Sequence, residues 1–217
     1  MLIYHDGDFS SEITLSKAVF MHLKARRVKV GDGFSLCDGQ GRVAMVVLTK
    51  MDREATCLVE EINVHQALKL PRLIVGVTKF PTIEFVLQKA TEIGVSEIVL
   101  LKCEYTPIPF NQTVFDKKKP RFEKIIISAC EQSGAYFKPR LSWLNFSDYV
   151  ATNGAKCMLH PRAESSVIDK SADLMIGPEG GWSDAELDSN VQQVRLNTGI
   201  LRADTACLAA LLSWQIS

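Results

Sequence analysis

The residues with the clearest potential for chemistry form a glycine-rich turn, Gly177-Pro178-Glu179-Gly180-Gly181. Such a turn exposes backbone N–H groups, and a ligand can approach its glycines closely because no Cβ intervenes. The turn lies between an apolar run and a helix start at Ser183, which is where open α/β sheets bind their ligands. A Walker phosphate loop is excluded because no Gly-Lys-Ser/Thr follows. Taken alone, the turn is equally compatible with an ordinary loop.

Two further turns follow strand-like runs in the same way. His160-Pro161-Arg162 comes after the apolar run 156–159, and the segment 196–206 begins where the run 193–196 ends. If these runs are parallel strands, their carboxyl ends meet at one edge of a sheet. We therefore predict that the three turns together enclose one bent ligand. The sequence contains no Gly-x-Ser-x-Gly nucleophile elbow, which disfavours a hydrolase.

The elements that must position these turns change character near residue 70. Residues 1–69 contain strand-like runs, one short helical stretch and a hairpin signal at Asp38-Gly39, where glycine supplies the positive φ of a tight turn. The predicted strands are 28–36, 43–49 and 55–64, and the predicted helix is 15–24. We therefore expect a compact β domain before residue 70.

From residue 70 onward, short apolar runs alternate with helical patterns, which is typical of an α/β domain with a parallel sheet. The predicted strands are 73–77, 97–101, 156–159, 173–176 and 193–196, and the predicted helices are 81–93, 120–133 and 204–216. Ser183 and Glu186 match a capping box at the start of a further helix. The helix 204–216 is apolar nearly all round, so we expect it to be buried, with a second subunit as one candidate cover.

Composition limits the possible partners. The chain has 217 residues, 47% of them hydrophobic, with 25 basic and 25 acidic side chains. Zero net charge argues weakly against a nucleic-acid binder, because phosphate contacts need local positive charge. Basic residues cluster nevertheless at 24–29 and 117–140, and each cluster is either a phosphate-facing patch or an ordinary solvated face.

Metal and membrane partners are not expected. The six cysteines are spread along the chain without the short spacings of a zinc site, so we expect them to be reduced and buried. No run approaches the roughly 20 apolar residues that span a bilayer. The first residues lack the basic start and long apolar run of a signal peptide, which indicates a cytoplasmic protein.

Three ordered segments, 160–163, 176–186 and 200–206, resemble the C-terminal motifs of the RsmE family of 16S rRNA uridine-N3 methyltransferases. Upstream, 88–95 and 129–134 resemble two more blocks of that family, and 22–41 resembles its PUA-like β-barrel. The resemblance covers nearly the whole chain. It implies an α/β SPOUT fold with a parallel sheet and a C-terminal trefoil knot over 70–217, preceded by a PUA-like RNA-binding barrel over 1–69.

The resemblance also implies a homodimer that binds S-adenosyl-L-methionine and acts on 16S rRNA or the small ribosomal subunit. The cofactor would be held by residues of the three turns. These are Leu159, His160, Gly177, Glu179, Gly180, Gly181, Leu196, Gly199, Ile200, Leu201 and Thr205. His160 is otherwise a plain strand-end histidine.

Methylation of uracil N3 removes an imide proton, so negative charge develops beside the two carbonyl groups and must be stabilised. Arg202 is the candidate for this role, with Asp204 beside it, because a guanidinium presents a planar fork of donors. The alternative is that Arg202 caps a helix or pairs with Asp204 or Glu179. Predicted RNA contacts are Arg26, Arg27, Lys117, Lys118, Lys119, Arg121, Glu131, Gln132 and Arg162, of which Glu131 and Gln132 are equally compatible with a plain helix surface.

Several positions depart from the family pattern. Ala203 and Asp204 stand where threonine and glutamate are usual, and Tyr105 and Ala135 stand where arginine is common. Glycine-proline-arginine is replaced by 197–199. Two alternatives therefore remain open: a catalytically weak or inactive SPOUT-fold RNA-binding protein, or a sibling methyltransferase that acts on another RNA.

Overall fold

The computed structural model describes residues 1–216, which form two compact units. The first unit contains Met1–Leu68 and also Cys130–Lys138, a segment distant in sequence. The second contains Lys69–Ala129 and the chain from Pro139 onward.

The first unit is built on a five-stranded sheet with the order β1-β3-β4-β5-β2, in which only the β1–β3 pair is parallel. Its elements are β1 (Leu2–Tyr4), β2 (Glu12–Leu15), α1 (Lys17–Ala25), β3 (Gly33–Cys37), β4 (Arg42–Met51) and β5 (Ala55–Val64). Alternate residues such as Leu36, Ala44 and Leu48 are fully buried against Leu23 of α1. The hairpin turn predicted between β3 and β4 is confirmed, with φ angles of 74° at Gly39 and 95° at Gly41.

Two features of this unit were not predicted. The strand predicted over 28–36 begins only at Gly33, because the Asp32 carboxylate accepts the N–H of Lys29 at 2.8 Å and closes a turn there. The segment 130–138 also packs here: the Tyr4 hydroxyl donates to the carbonyl of Ala135 at 2.8 Å, and the Glu131 carboxylate accepts the Tyr4 N–H at 3.0 Å.

The second unit contains a six-stranded sheet with the order β11-β9-β10-β6-β7-β8, and every pair in it is parallel. Apolar strand residues such as Leu73, Leu100 and Leu174 are fully buried, as the continuous apolar runs predicted. The elements are β6 (Arg72–Gly76), α2 (Phe80–Ile93), β7 (Glu97–Lys102), α3 (Gln112–Ser133), β8 (Arg140–Asn145), α4 (Phe146–Val150), β9 (Lys156–Leu159), β10 (Asp173–Ile176), α5 (Asp184–Leu187), β11 (Gln192–Val194) and α6 (Ala203–Ile216). The last residues of α3, from Cys130 onward, belong to the first unit.

The predicted start of α3 at residue 120 was wrong. The helix begins at Gln112, where the Asn111 side chain accepts the N–H of Val114 at 3.0 Å and so caps the first turn. Pro120 lies inside the helix, a position where proline usually breaks the hydrogen-bond pattern. β8 was also missed, because none of its residues is fully buried and it lacks a continuous apolar run.

Helix α6 buries one face and leaves the other exposed. Cys207, Leu211 and Trp214 are buried, and the Gln215 amide donates to the carbonyl of Ile93 at the end of α2, at 2.7 Å. Leu212 and Ile216, in contrast, are 46% and 85% exposed. The predicted burial of α6 is therefore confirmed for one face of the helix, and its other face is exposed in residues 1–216.

All six cysteines are free and buried, as predicted. Burial raises the pKa of the Cys57 thiol to about 11, so this side chain behaves as a small apolar group. No helix within residues 1–216 is long and apolar enough to cross a membrane. The same part of the chain contains no cluster of three or more His, Cys, Asp or Glu side chains that could hold a metal ion.

Candidate active site

Three turns at the carboxyl edge of the parallel sheet line one cavity of about 710 Å³. They follow β9, β10 and β11, so the predicted convergence of the three turns is confirmed. The lining residues are Leu159, His160, Pro161, Arg162, Ile176, Gly177, Pro178, Glu179, Gly180, Gly181, Trp182, Leu196, Thr198, Gly199, Ile200, Leu201, Arg202, Ala203 and Ala206.

The glycine-rich turn after β10 packs so closely that side chains would not fit. A Cβ on Gly76 would lie 2.5 Å from the backbone nitrogen of Pro178, and a Cβ on Gly177 would lie 3.2 Å from the Trp182 indole. Gly181 has a φ of 75°, and its N–H donates to the carbonyl of Pro178 at 2.9 Å. Glycine is required here both for close approach and for the left-handed backbone.

Trp182 connects the first two turns. Its indole N–H donates to the carbonyl of Leu159 at 3.0 Å, and its ring packs against Phe146 with centroids 5.8 Å apart. The side chain is only 8% exposed and forms part of the cavity wall. Trp182 was not among the predicted site residues, although its position directly after the glycine pair was a usable signal.

Glu186 connects the turn after β10 to the turn after β7. The predicted capping box is confirmed: one carboxylate oxygen accepts the N–H of Ser183 at 2.9 Å, and the Ser183 hydroxyl accepts the N–H of Glu186 at 3.3 Å. The other carboxylate oxygen accepts the N–H of Glu104 at 2.9 Å. Glu186 is buried, and a buried carboxylate is tolerated where such donors satisfy it. The contact with Glu104 could not be predicted, because the two residues are far apart in sequence.

Arg195 ties the third turn to the segment that follows β9. Its guanidinium donates to the carbonyl of Ala163 at 2.9 Å, and its backbone N–H donates to the carbonyl of Ser165 at 2.8 Å. The His160 N–H donates to the carbonyl of Val194 at 2.8 Å. Arg195 was also missed from the sequence, where it looked like an ordinary strand residue.

Three exposed charged side chains line the cavity: Arg162, Glu179 and Arg202. None of them makes an ion pair or a side-chain hydrogen bond with another residue in 1–216. The alternative pairing of Arg202 with Asp204 or Glu179 is therefore not observed. The Asp204 carboxylate instead accepts the N–H of Thr205 at 2.7 Å. Both signs of charge are left available to a ligand.

Most of the predicted site residues meet at this cavity. All the predicted cofactor residues except Thr205 line it, together with Arg162 and Arg202. Asp204 and Thr205 do not line it and lie in the first turn of α6. The individual roles assigned to these residues stay predictions.

Some of the predicted RNA-contacting residues outside the cavity have intramolecular partners, and others do not. Lys118 lies over the Phe80 ring at 4.2 Å, and Arg121 forms a two-bond pair with Glu84, which lowers the pKa of that carboxyl. Lys119 approaches Glu123 at 4.0 Å, and Glu131 is engaged with Tyr4 as described above. Arg26, Arg27, Lys117 and Gln132 are exposed and have no ion pair within residues 1–216.

An all-parallel sheet whose carboxyl-edge loops enclose a cavity is the arrangement in which open α/β proteins bind nucleotide-like ligands. Comparison with known proteins narrows this class. The family model for the RNA methyltransferase domain matches residues 68–215. The chain therefore belongs to the RNA methyltransferase family, and the resemblance to the RsmE family is confirmed.

Individual relatives agree over nearly the whole chain. Ribosomal RNA small subunit methyltransferase E from Synechocystis sp. is 30% identical, over 92% of this chain and 71% of its own length. The protein of the same name from Buchnera aphidicola is 27% identical, over 94% of this chain and 90% of its own. The crystal structure of ribosomal RNA small subunit methyltransferase E from Neisseria gonorrhoeae, bound to S-adenosyl methionine, has a TM-score of 0.88 at 25% identity, covering 99% of this chain and 96% of that one. The predicted α/β fold with a parallel sheet is confirmed, and this methyltransferase structure has the same fold.

Proposed function

We propose that the protein uses S-adenosyl-L-methionine to methylate N3 of a uridine in small-subunit (16S) rRNA. The single observation that carries this proposal is the cavity at which the turns after β9, β10 and β11 meet, with its unpaired Arg162, Glu179 and Arg202. The relatives named small-subunit rRNA methyltransferases supply the substrate class.

The donor set of the cavity fits this cofactor. A cavity of about 710 Å³ is within the usual range of roughly 300–1,000 Å³ for small-molecule sites. Leu159, Leu196 and Leu201 offer apolar surface and main-chain groups suited to an adenine ring. The cofactor also has a cationic sulfur, an ammonium group and a carboxylate, for which Glu179 and the two arginines supply complementary charges.

In the proposed reaction, uracil N3 would give its proton to a water molecule and form a bond to the methyl carbon. The methyl–sulfur bond would break with its electron pair left on sulfur, so that the thioether S-adenosylhomocysteine leaves. When bound, the cofactor supplies the electrophilic methyl group. Arg202 donates hydrogen bonds to a uracil carbonyl, where the negative charge left by the N3 proton is delocalised. The guanidinium remains protonated throughout, so it acts by electrostatic stabilisation and not as a proton donor.

RNA binding is proposed for two regions. Residues 1–69 would act as a PUA-like RNA-binding domain through Arg26 and Arg27, which are exposed at the end of α1. In the second unit, Lys117 is exposed and free, whereas Lys118, Lys119 and Arg121 already have intramolecular partners. We therefore expect Lys117 to contribute more to phosphate binding than its three neighbours.

We further propose a homodimer and a trefoil knot formed by the C-terminal segment. The exposed Leu212 and Ile216 on α6, together with Ile200 at 87% exposure, support a second copy as their cover. The strand order β11-β9-β10-β6 and the ties of Arg195 to Ala163 and Ser165 support the threading. Sedimentation velocity should give twice the chain mass of 24.1 kDa, and a monomer mass would contradict the dimer.

The decisive experiment compares the modified nucleosides of small-subunit rRNA with and without the protein. Small subunits from a strain lacking the gene are incubated with purified protein and S-adenosylmethionine, and the digested rRNA is analysed by mass spectrometry. We expect 3-methyluridine to appear only when both the protein and S-adenosylmethionine are present. A different methylated nucleoside would identify a sibling activity. Cofactor binding in calorimetry without any methyl transfer would identify a binding protein.

A further inference from the structure

The turn that follows β7 holds a half-exposed aromatic ring beside the cavity. Tyr105 is 49% exposed, and its backbone and Cβ pack directly on Gly180 of the glycine-rich turn. A Cβ added to Gly180 would lie 2.8 Å from the Cβ of Tyr105 and 3.6 Å from its carbonyl oxygen. Because Gly180 lines the cavity, the tyrosine stands at the margin of the site.

The backbone that carries this ring is held by hydrogen bonds on both sides of Tyr105. Thr106 accepts the N–H of Cys103 through its hydroxyl at 3.0 Å and donates its own N–H to the Cys103 carbonyl at 3.3 Å. Glu104 donates its N–H to the buried carboxylate of Glu186 at 2.9 Å. The tyrosine is therefore presented by a braced turn, whereas its side chain makes no hydrogen bond or ring contact with any other residue in 1–216.

An aromatic ring of this kind is suited to a base. Uracil N3 is on the pairing edge of the base, so the target nucleotide must be unpaired and turned out of its stack before it can react. Proteins compensate for the lost stacking by placing an aromatic ring against the base. Three aromatic side chains are exposed in residues 1–216: Phe85, Tyr105 and Tyr136. None of them lines the cavity itself, but Tyr105 packs on Gly180, which does.

We propose that Tyr105 is the stacking surface for the target uracil, a role that rests on the proposed rRNA methylation. Its ring would hold the base next to Gly180 while Arg202 contacts the carbonyl oxygen. Tyr105 stands where arginine is common in the family, so the contact that we propose here is a stacking contact and not a charged one. Recognition there would depend less on salt than a phosphate contact does.

The test compares Tyr105→Ala with Tyr105→Phe, which keeps the ring, and with Phe85→Ala, which removes a ring 40% exposed in the same unit. Methyl transfer to undermethylated small subunits, RNA affinity by filter binding, cofactor affinity by calorimetry and the oligomeric mass are measured for each. We expect Tyr105→Ala to lower kcat/KM for transfer and RNA affinity by about ten- to a hundredfold. The other two variants should stay near wild type, and all should bind S-adenosylmethionine within about twofold.

Each other outcome counts against the proposal in a distinguishable way. Wild-type transfer and RNA affinity in Tyr105→Ala would overturn it, as would equal losses in Tyr105→Phe, which would point to the hydroxyl. A changed oligomeric mass would make the ring a subunit contact instead. If the wild-type protein binds RNA without methylating it, the proposed function fails while the affinity of Tyr105→Ala still tests the stacking role. Wild-type protein that binds no RNA would overturn both.

Discussion

The two edges of the parallel sheet differ in whether their charged side chains are paired. At the amino edge, where β6, β7, β8 and β10 begin, charged side chains satisfy one another. Arg72 bonds Glu97 at 3.0 Å and Asp173 at 2.7 Å, Arg140 bonds Glu97 at 3.1 Å, and the Tyr149 hydroxyl donates to Asp173 at 2.6 Å. At the carboxyl edge, Arg162, Glu179 and Arg202 have no such partners within residues 1–216.

This difference indicates what each edge does. The carboxylates of Glu97 and Asp173 are only 12% and 13% exposed, so an unpaired charge there would be costly. Burial lowers the pKa of Arg72, but the two carboxylates more than offset this effect and the net shift is upward. Charges at the other edge remain solvated and unpaired, which keeps them available to a ligand. One edge therefore stabilises the sheet, and the other leaves charged groups free for the ligand that we propose.

The largest expected effect comes from removing a free charge. Arg202→Ala should lower kcat for methyl transfer by about a hundred- to a thousandfold, because a donor to the developing oxyanion is lost. Its free energy of unfolding should change by less than about 0.5 kcal/mol, since the side chain is exposed and unpaired. Arg202→Lys, which keeps the charge without the planar fork, should recover only part of the rate. If Arg202→Ala loses stability as well as activity, Arg202 is a structural residue and the distinction between a paired and an unpaired edge is wrong.

The second prediction concerns the paired edge. Arg72→Ala should destabilise the protein by about 2–4 kcal/mol, because the largely buried Asp173 loses its ion pair and Glu97 is left with Arg140 alone. Cofactor affinity of the folded protein should stay unchanged. The matched control is Arg121→Ala, which removes an exposed pair with Glu84 and should cost far less stability, because water screens that pair. Chemical denaturation measures both, and equal losses would show that burial is not what matters.

The sequence predicted the carboxyl edge far better than the amino edge, and the reason is physical. Glycines, Pro178 and the capping serine mark a turn locally, so the three turns and their common edge follow from neighbouring residues and strand direction. Arg72, Glu97 and Asp173 lie in three separate strands, and only the strand order β10-β6-β7 makes them neighbours. Strand order depends on long-range packing, which the local pattern does not contain.

The same argument explains the other successes and errors. Continuous apolar runs gave β9 and β10 with correct bounds, whereas the half-exposed edge strand β8 has no such run. Pro120 suggested a helix start, but the capping side chain of Asn111 begins the helix earlier. Trp182 and Arg195 were missed because their hydrogen bonds reach residues 23 and 32 positions away.

Glu186 differs from the three unpaired charges at the carboxyl edge, because both of its carboxylate oxygens accept hydrogen bonds. In Glu186→Gln, the amide has one oxygen instead of two, so one of the N–H groups of Ser183 and Glu104 loses its acceptor. We expect a loss of about 1–2 kcal/mol in stability. Cofactor affinity should fall as well, by about three- to tenfold, because both turns beside Gly180 lose their brace. Calorimetry that shows lower stability with full affinity would mean that the brace does not position the turns. Asp184→Asn, at an exposed helix position next to it, is the control.

The smallest effect concerns the hydroxyl that completes the amino edge. Burial, and then the hydrogen bond to Asp173, raises the pKa of Tyr149 well above its ordinary value of 10.0. Because the unfolded tyrosine ionises near pH 10 while the folded one stays protonated, the unfolded state binds fewer protons above that pH. The stability that Tyr149 contributes is thus fully present below pH 10 and declines as the pH rises further. Tyr149→Phe should cost about 1 kcal/mol at neutral pH and lose less stability than wild type above pH 10. If the stabilities of the two proteins fall in parallel above pH 10, the Tyr149 proton has no role in the native state. Cofactor affinity should be unchanged in Tyr149→Phe, because the amino edge does not contact the cavity.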